Sequence, residues 1–176
     1  DAYIGIATLT RLFMEFNCYD VLEIQGKRYV VGEVISYQEF IVDKTIRYDL
    51  NDENYKKELG VSKGAQSWTE YGLMPVNGTD KKWLTIVNGE KEYCTFSETV
   101  LRSTPPAGYR LHDKGIERVV AVEGQSKARS GDEADYKEYR AVQKDKTFVF
   151  FIENWRGGLT DQAQGERIRL SDIHRR

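Results

Sequence analysis

Two glutamates with matching neighbours are the first residues in the chain whose types and spacing suggest chemistry. Glu70 lies two residues after Trp68, and Glu138 lies two residues after Tyr136. A tyrosine directly follows each glutamate. Paired carboxylates can perform acid–base catalysis when their surroundings separate their pKa values. The alternative is that each glutamate has the same structural role in its own part of the chain, paired with an arginine or a backbone amide.

Six aromatic residues near these glutamates and in neighbouring segments could form a stacking surface for a sugar, a base or a peptide. Single-strand nucleic-acid binders combine such rings with a basic groove, whereas this chain has a net charge of -2. Aromatic rings in strands also commonly fill a core. Core packing and ligand contact are therefore both open for this set, which comprises Trp68, Tyr71, Trp83, Tyr136, Tyr139 and Trp155.

Other residue types that carry catalysis or bind metals are sparse. The histidines His112 and His174 and the cysteines Cys18 and Cys94 lack the clustered spacing of a metal site. Asp113 could orient His112 as a general base, but adjacent residues of a strand point to opposite faces. The sequence contains no phosphate-binding loop, dinucleotide-binding turn or nucleophile elbow. We therefore predict no metal and no cofactor, and we expect both cysteines to be free thiols.

The elements that position these residues are mostly strands. A Gln-Gly-Lys turn separates two β-rich runs, which predicts a hairpin over residues 21–37. Two Asn-Gly turns then separate runs at 67–75, 82–87 and 90–98, which predicts a three-stranded meander. After the linker at Pro105-Pro106, strands are predicted at 109–112, 117–122, 134–142, 147–155 and 166–170. Apolar residues spaced by three and four between Ile6 and Phe16 predict an N-terminal amphipathic helix.

The two sides of the Pro-Pro linker align as diverged copies of one unit. Glu70-Tyr71 aligns with Glu138-Tyr139 at an offset of 68, and Trp83 aligns with Phe151 at the same offset. We expect a helical segment at 1–18, a first β repeat at 19–104 and a second β repeat at 105–176. The first repeat carries an insertion at about 38–66, with a short helix near 52–59. An insertion of this length is plausible in a surface loop, because loops tolerate extra length.

Several of these segments resemble a bacterial family, the domain of unknown function numbered 4178. The matching segments are KRYVVGEV at 27–34, WTEYGL at 68–73, KWL at 82–84 and GIERVVAVEG at 115–124, together with Glu138-Tyr139. The resemblance supplies no activity and no catalytic residues to carry over. It implies a bacterial protein, with some relatives encoded near membrane-stress or polyamine-related genes.

The sequence thus predicts a mainly β protein of two tandem small antiparallel β-barrel or sandwich-like repeats packed together, with an N-terminal helix. The expected function is a non-catalytic binding or adaptor module in a bacterial cytoplasm, with an unknown protein partner or homodimerisation through exposed sheet edges. Two alternatives are an enzyme using Glu70 and Glu138 in a cleft between the repeats, and single-stranded nucleic-acid binding, which the charge disfavours. We expect no membrane insertion, because no apolar run approaches the ~20 residues needed to span a bilayer.

Overall fold

The described part of the chain is built almost entirely from β-strands. A computed structural model describes residues 15–40 and 66–176. Within these ranges no α-helix occurs, and the one helical turn is the short 3-10 segment Leu170–Asp172. None of the helical structure in these residues is long and apolar enough to cross a membrane. The mainly β prediction is therefore confirmed. The strands are β1 (Val21–Ile24), β2 (Lys27–Phe40), β3 (Ser67–Pro75), β4 (Lys82–Val87), β5 (Tyr93–Thr99), β6 (Arg110–Gly124), β7 (Glu133–Gln143), β8 (Lys146–Trp155), β9 (Thr160–Arg169) and β10 (Ile173–Arg175).

Eight of these strands close into one antiparallel barrel. The order around the wall is β2, β3, β4, β5, β9, β8, β7 and β6, and β6 pairs with β2 to complete the circle. Strands β2 to β5 form one four-stranded meander, and strands β6 to β9 form another. The meanders join at two seams, β5 with β9 and β2 with β6. Strand β1 pairs with the first residues of β2 and with β10, outside the closed wall.

The expectation of two small barrels or sandwiches packed together is wrong, because the two sides of the Pro-Pro linker share one barrel. A separate four-stranded meander has two edge strands with unpaired backbone groups. Pairing the edges of one meander with those of the other satisfies these groups together, and closure of the wall removes the edges. The alternation of inward and outward side chains is the same in both arrangements, so the sequence pattern did not distinguish them.

Two predicted helices fall outside the described residues. The N-terminal helix between Ile6 and Phe16 lies there except for its last two residues, Glu15 and Phe16, which are not helical. The short helix near 52–59 lies wholly outside. Of the predicted insertion at about 38–66, residues 38–40 continue β2 and Gln66 immediately precedes β3.

The strand predictions hold best where turn chemistry is clear. The hairpin is confirmed as β1 and β2, and the three-stranded meander is confirmed as β3, β4 and β5. The last long strand was predicted at 166–170 but spans Thr160–Arg169, so it begins six residues earlier than predicted. Gly165 lies within β9, between Ser97 and Val149. A Cβ atom there would lie 2.1 Å from the backbone oxygen of Phe96, so the close pairing of β5 and β9 requires glycine.

A bulge in β2 determines which of its side chains enter the barrel. Val31 pairs with Leu73 and Glu33 pairs with Gly72, so Gly32 is an extra residue on β2. An extra residue reverses the alternation of faces beyond it. Before the bulge, Val31 packs in a hydrophobic cluster outside the wall. The residues of β2 that line the lumen after the bulge are Glu33, Ile35, Tyr37 and Glu39.

The larger hydrophobic core lies against the outer face of the wall. Leu73, Leu84 and Cys94 are fully buried there, and they pack with Leu22 and Ile24 of β1. Complete burial of such an aliphatic side chain contributes about 1.5–3 kcal/mol. Because this core is outside the lumen, the inner face of the same strands can carry polar and charged residues.

Candidate ligand-binding cavity

The lumen of the barrel is a large cavity. Its volume is about 1730 Å³, and side chains from all eight wall strands line it. Most ligand pockets measure roughly 300–1,000 Å³, so the lumen has room for a small organic molecule and water. Eight-stranded barrels either fill their interior with side chains or hold one small ligand. The side chains of this barrel do not fill its interior.

Aromatic rings line the part of the wall that runs from β3 through β2 and β6 to β7. Tyr37 and Trp68 stack with ring centroids 5.8 Å apart and planes at 18°. Tyr136 meets Trp68 edge to face at 5.6 Å. The hydroxyl of Tyr136 hydrogen-bonds Glu39 and lies 3.0 Å from Oδ2 of Asp113. Burial and these carboxylates raise the pKa of Tyr136, so its hydroxyl keeps its proton and acts as a donor.

Three carboxylates from three strands meet in the lumen, and we call Glu70, Glu117 and Glu153 the carboxylate cluster. Burial is the main cause that raises the pKa of each group. The charge of Glu153 raises the pKa values of Glu70 and Glu117 further. The hydrogen bond between Glu117 and Glu153 raises the pKa of Glu117 and lowers that of Glu153. The cluster therefore holds protons at pH values where isolated glutamates are ionised.

One ammonium group of the chain itself is bound at the wall. The Nζ atom of Lys81 lies 2.7 Å from Oε1 of Glu33. The same Nζ lies 4.1 Å from the centroid of the Trp83 ring. Glu33 is only 4% exposed, which makes a charge-assisted hydrogen bond to it strong. The wall therefore holds this ammonium group between the carboxylate of Glu33 and the indole face of Trp83.

Two arginines line the lumen toward the ends of β7 and β9. Nε of Arg140 lies 2.8 Å from Oε2 of Glu138, and Nε2 of His112 lies 3.6 Å from the same oxygen. Arg167 donates to Oγ1 of Thr95 at 3.1 Å. Burial and the positive charge of Arg140 lower the pKa of Arg167. This end of the lumen is therefore mixed in charge, whereas the carboxylate cluster is acidic.

The structure brings together six of the eight residues selected from sequence. Tyr71 and Tyr139 do not line the lumen, because each directly follows an inward-facing glutamate and so points outward. Tyr71 packs against Phe16 in the outer cluster, with ring centroids 5.4 Å apart. Tyr139 contacts Phe150 at 6.4 Å. The residues that line the cavity are Trp68, Glu70, Trp83, Tyr136, Glu138 and Trp155.

Sequence reasoning missed Glu33, Glu117 and Glu153. The sequence pattern that could have identified them is a carboxylate two positions away from an aromatic or aliphatic residue, so that both lie on the same face of a strand. Glu153 alternates with Phe151 and Trp155 in this way, and all three line the lumen. A carboxylate does not belong on the inner face of a filled core. That pattern therefore indicates an interior that contains space and polar partners.

The lumen offers charged groups, hydrogen-bonding groups and aromatic rings to a bound molecule. Among the described residues, no group of three His, Cys, Asp or Glu side chains is placed to hold a metal ion. Cys18 and Cys94 are free thiols. Burial raises the pKa of Cys94 to about 12, so its thiolate is scarce at neutral pH.

The fold and the lumen define a closed antiparallel β-barrel with an acidic, aromatic cavity of ligand size. Residues 19–170 match the family described as Domain of unknown function (DUF4178), and the chain belongs to this family. The matched range contains every strand of the closed wall. Comparison with curated proteins and with solved structures found no match.

Proposed function

We propose that the chain binds a small organic cation in the lumen of its barrel. One observation carries the proposal: among the residues that the structure describes, the lining includes 11 Asp and Glu side chains against five Lys and Arg. The whole chain has a net charge of only -2. Negative charge is therefore concentrated on the inner wall, where the low-dielectric surroundings strengthen its attraction for a cation.

The aromatic rings support the same class of ligand. Ring faces attract cations as well as burying apolar groups. The contact of Lys81 with Glu33 and Trp83 is an example of this recognition inside the chain. A ligand that carries both an ammonium group and an apolar portion would use the carboxylates and the rings together.

The same charge pattern works against nucleic acid as the ligand. A single strand needs a basic groove that follows its phosphates. The lumen has the opposite charge, and its three arginines among the described residues are already engaged: Arg140 with Glu138, Arg156 with Asp135 and Arg167 with Thr95. We therefore place single-strand binding below binding of a cation.

Three isosteric probes test the charge preference by isothermal titration calorimetry. They are 4-phenylbutylamine, 4-phenylbutanol and 4-phenylbutanoate, which share one apolar portion and differ in charge. We expect the amine to bind at least about tenfold more tightly than the alcohol, a difference of about 1.4 kcal/mol, and the carboxylate to bind most weakly. Equal affinities, tighter binding of the anion, or failure of all three probes to bind contradicts the proposal.

A matched pair of variants locates the binding. Glu153→Gln removes a carboxylate from the lumen and should weaken binding of the amine. Glu98→Gln removes a carboxylate from β5 that points outward and pairs with Lys82 at 2.6 Å. It should leave the affinity unchanged. Equal losses in the two variants indicate binding outside the barrel.

A second candidate function is catalysis by Glu70 and Glu138, which line the same cavity. Their surroundings differ, as acid–base pairs require. Burial and neighbouring carboxylates raise the pKa of Glu70, whereas Glu138 pairs with Arg140. Recovery of a bound amine unchanged after long incubation excludes catalysis on that ligand. If it is converted, Glu70→Gln and Glu138→Gln should each slow the conversion.

The order of strands supports the hypothesis that the two meanders are diverged copies. Glu70-Tyr71 and Glu138-Tyr139 lie on β3 and β7, the second strand of each meander. Trp83 and Phe151 lie on β4 and β8, the third strands. On this hypothesis the boundary between the copies falls near the Pro-Pro linker, and both copies contribute equivalent strands to one binding site.

A further inference from the structure

The carboxylate cluster is the most distinctive group in the lumen, because its three members converge from separate strands. Glu70 lies on β3, Glu117 on β6 and Glu153 on β8, and all three line the cavity. Their proximity is indicated by the hydrogen bond between Glu117 and Glu153, by the charge of Glu70, which raises the pKa of Glu117, and by the charge of Glu153, which raises the pKa of Glu70. Three acceptor groups thus approach one region of the lumen from three parts of the wall.

One oxygen of this cluster lacks a hydrogen-bond partner within the described residues. Glu117 is only 3% exposed, and its Oε1 atom accepts no hydrogen bond there. Buried carboxylate oxygens are normally satisfied by a donor. Glu117 lines the cavity, so a rotation of its side chain would present this oxygen to a donor group on a ligand.

The charged groups around the cluster are mostly acidic as well. The negative charges of Glu33 and Asp161 raise the pKa of Glu70. The charge of Glu39 raises the pKa of Glu117, and the charge of Asp161 raises that of Glu153. The charge of Lys81 lowers the pKa of Glu70, but the ammonium group of Lys81 hydrogen-bonds Glu33. Among the described residues, no Lys or Arg forms an ion pair with a carboxylate of the cluster, and burial raises the pKa of all three members.

A primary ammonium group suits this arrangement better than a metal ion or a quaternary ammonium does. It has three N–H donors, which can hydrogen-bond to carboxylates of the cluster. The described residues contain no group of three His, Cys, Asp or Glu placed for a metal, and a quaternary group has no N–H to donate. The stacked pair Tyr37 and Trp68 lies beside the cluster, since the charge of Glu70 acts on Tyr37. Those rings can cover the apolar carbon next to the ammonium.

We propose that Glu70, Glu117 and Glu153 form a subsite for a primary ammonium group, and that the ammonium displaces protons which the cluster otherwise shares. This inference rests on the proposed function and names the chemical group that the lumen recognises. No covalent bond changes: the ligand enters as R–NH₃⁺, and carboxyl protons pass to solvent. Binding is therefore coupled to proton release.

The test compares 4-phenylbutylamine with trimethyl(4-phenylbutyl)ammonium, by calorimetry on the full chain. Both probes carry one positive charge and the same apolar portion, but only the primary amine donates hydrogen bonds. We expect the primary amine to bind at least about tenfold more tightly. Its affinity should also rise from about pH 5 to about pH 8, a range in which an alkylamine stays fully charged, as lysine does. At one pH, the enthalpies measured in phosphate and in Tris should differ, because protons are released to the buffer.

Variants separate failure of this inference from failure of the proposed function. Glu117→Gln should lower the affinity for the primary amine at least about tenfold and reduce its proton release, whereas the outward Glu98→Gln should change neither. If Glu117→Gln does not fold, Glu153→Gln replaces it, and the two-probe comparison needs no variant. Equal binding of both cations, or an unchanged Glu117→Gln, overturns the subsite but leaves cation binding standing. Failure of both cations to bind overturns the proposed function too.

Discussion

Gly72 on β3 is the residue that makes room for Glu33, and replacing it with alanine tests how the wall is packed. A Cβ atom at Gly72 would lie 2.5 Å from Cγ and 2.7 Å from Oε1 of Glu33. Real Cβ contacts are longer than this, so the Glu33 side chain would have to move. The same Oε1 accepts the hydrogen bond from Lys81 at 2.7 Å. Gly72→Ala should therefore displace Glu33 and break its ion pair.

The expected loss of stability combines two effects of opposite sign. Alanine is favoured over glycine inside a strand by roughly 0.5–1 kcal/mol. Overpacking costs about 1–3 kcal/mol, and loss of a hydrogen bond to a charged group costs about 1.5–3 kcal/mol. Because Lys81 is half-exposed and can find water instead, we take the lower part of that last range. The net prediction is a decrease of about 2 kcal/mol in the free energy of unfolding.

Urea denaturation of four proteins measures this effect: the parent, Gly72→Ala, Glu33→Ala and the double variant. Removing the Glu33 side chain also removes the clash, so the double variant should lose at least about 1 kcal/mol less than the two single losses added together. Gly157→Ala is the matched control, since a Cβ there meets nothing within 4 Å. It should change stability by less than about 0.5 kcal/mol. Gly72→Ala as stable as Gly157→Ala, or additive losses in the cycle, would refute the packing described for Glu33.

Three further predictions concern other parts of the barrel. Burial and Glu153 raise the native pKa of Glu117 above its ordinary value of 4.5, so the stability linked to its proton is complete below pH 4.5 and is lost as pH rises through the native pKa. Glu117→Gln should therefore reduce the fall in unfolding free energy between about pH 5 and pH 8. The reduction should be about 1.4 kcal/mol for each unit by which the native pKa of Glu117 exceeds its unfolded pKa. An unchanged pH dependence in urea titrations contradicts this. The thiol of Cys94, fully buried and with a pKa of about 12, should react with Ellman's reagent far more slowly than the half-buried Cys18, as peptide mass spectrometry can show; equal rates in the native chain contradict its burial. Gly165→Ala should cost at least about 3 kcal/mol and more than Gly72→Ala, because its Cβ meets backbone atoms of Phe96 and Ser97, which cannot rotate away; a smaller loss in urea denaturation contradicts the close β5–β9 pairing.

The strands could be predicted from sequence because their signals are local. Turn residues such as Asn88-Gly89 mark the ends of strands, and the alternation of side chains marks their faces. Closure of the wall could not be predicted in the same way, because it depends on pairing between β2 and β6, which are far apart in sequence. Nothing in the local pattern of either strand distinguishes an edge pairing within one half from a pairing between halves.

The bulges are the main reason why the side chains that line the lumen are hard to predict from sequence. A shift of one residue moves every later side chain of a strand to the opposite face. Irregular pairing occurs in β2 near Gly32, between β2 and β6 near Ser36, and in β6 near His112. From sequence, an aromatic residue beyond such a point can equally be assigned to a core or to a cavity. The rings of Trp68 and Tyr136 lie in the lumen, whereas Tyr71 packs in the outer core.

The two glutamates that first suggested chemistry differ in what lies two residues further along the strand. Arg140 follows Glu138 on the same face and pairs with it at 2.8 Å, as the alternation of side chains already allowed one to predict. The corresponding residue after Glu70 is Gly72. It has no side chain that could pair with Glu70, and the side chain of Glu33 occupies the space where its Cβ atom would lie. Glu138 is thus neutralised within its own strand, while Glu70 stays among other carboxylates and takes up protons. The matched pair therefore creates one wall with an internal ion pair and one wall with clustered carboxylates. On the proposed function, this asymmetry would orient a charged ligand in the lumen.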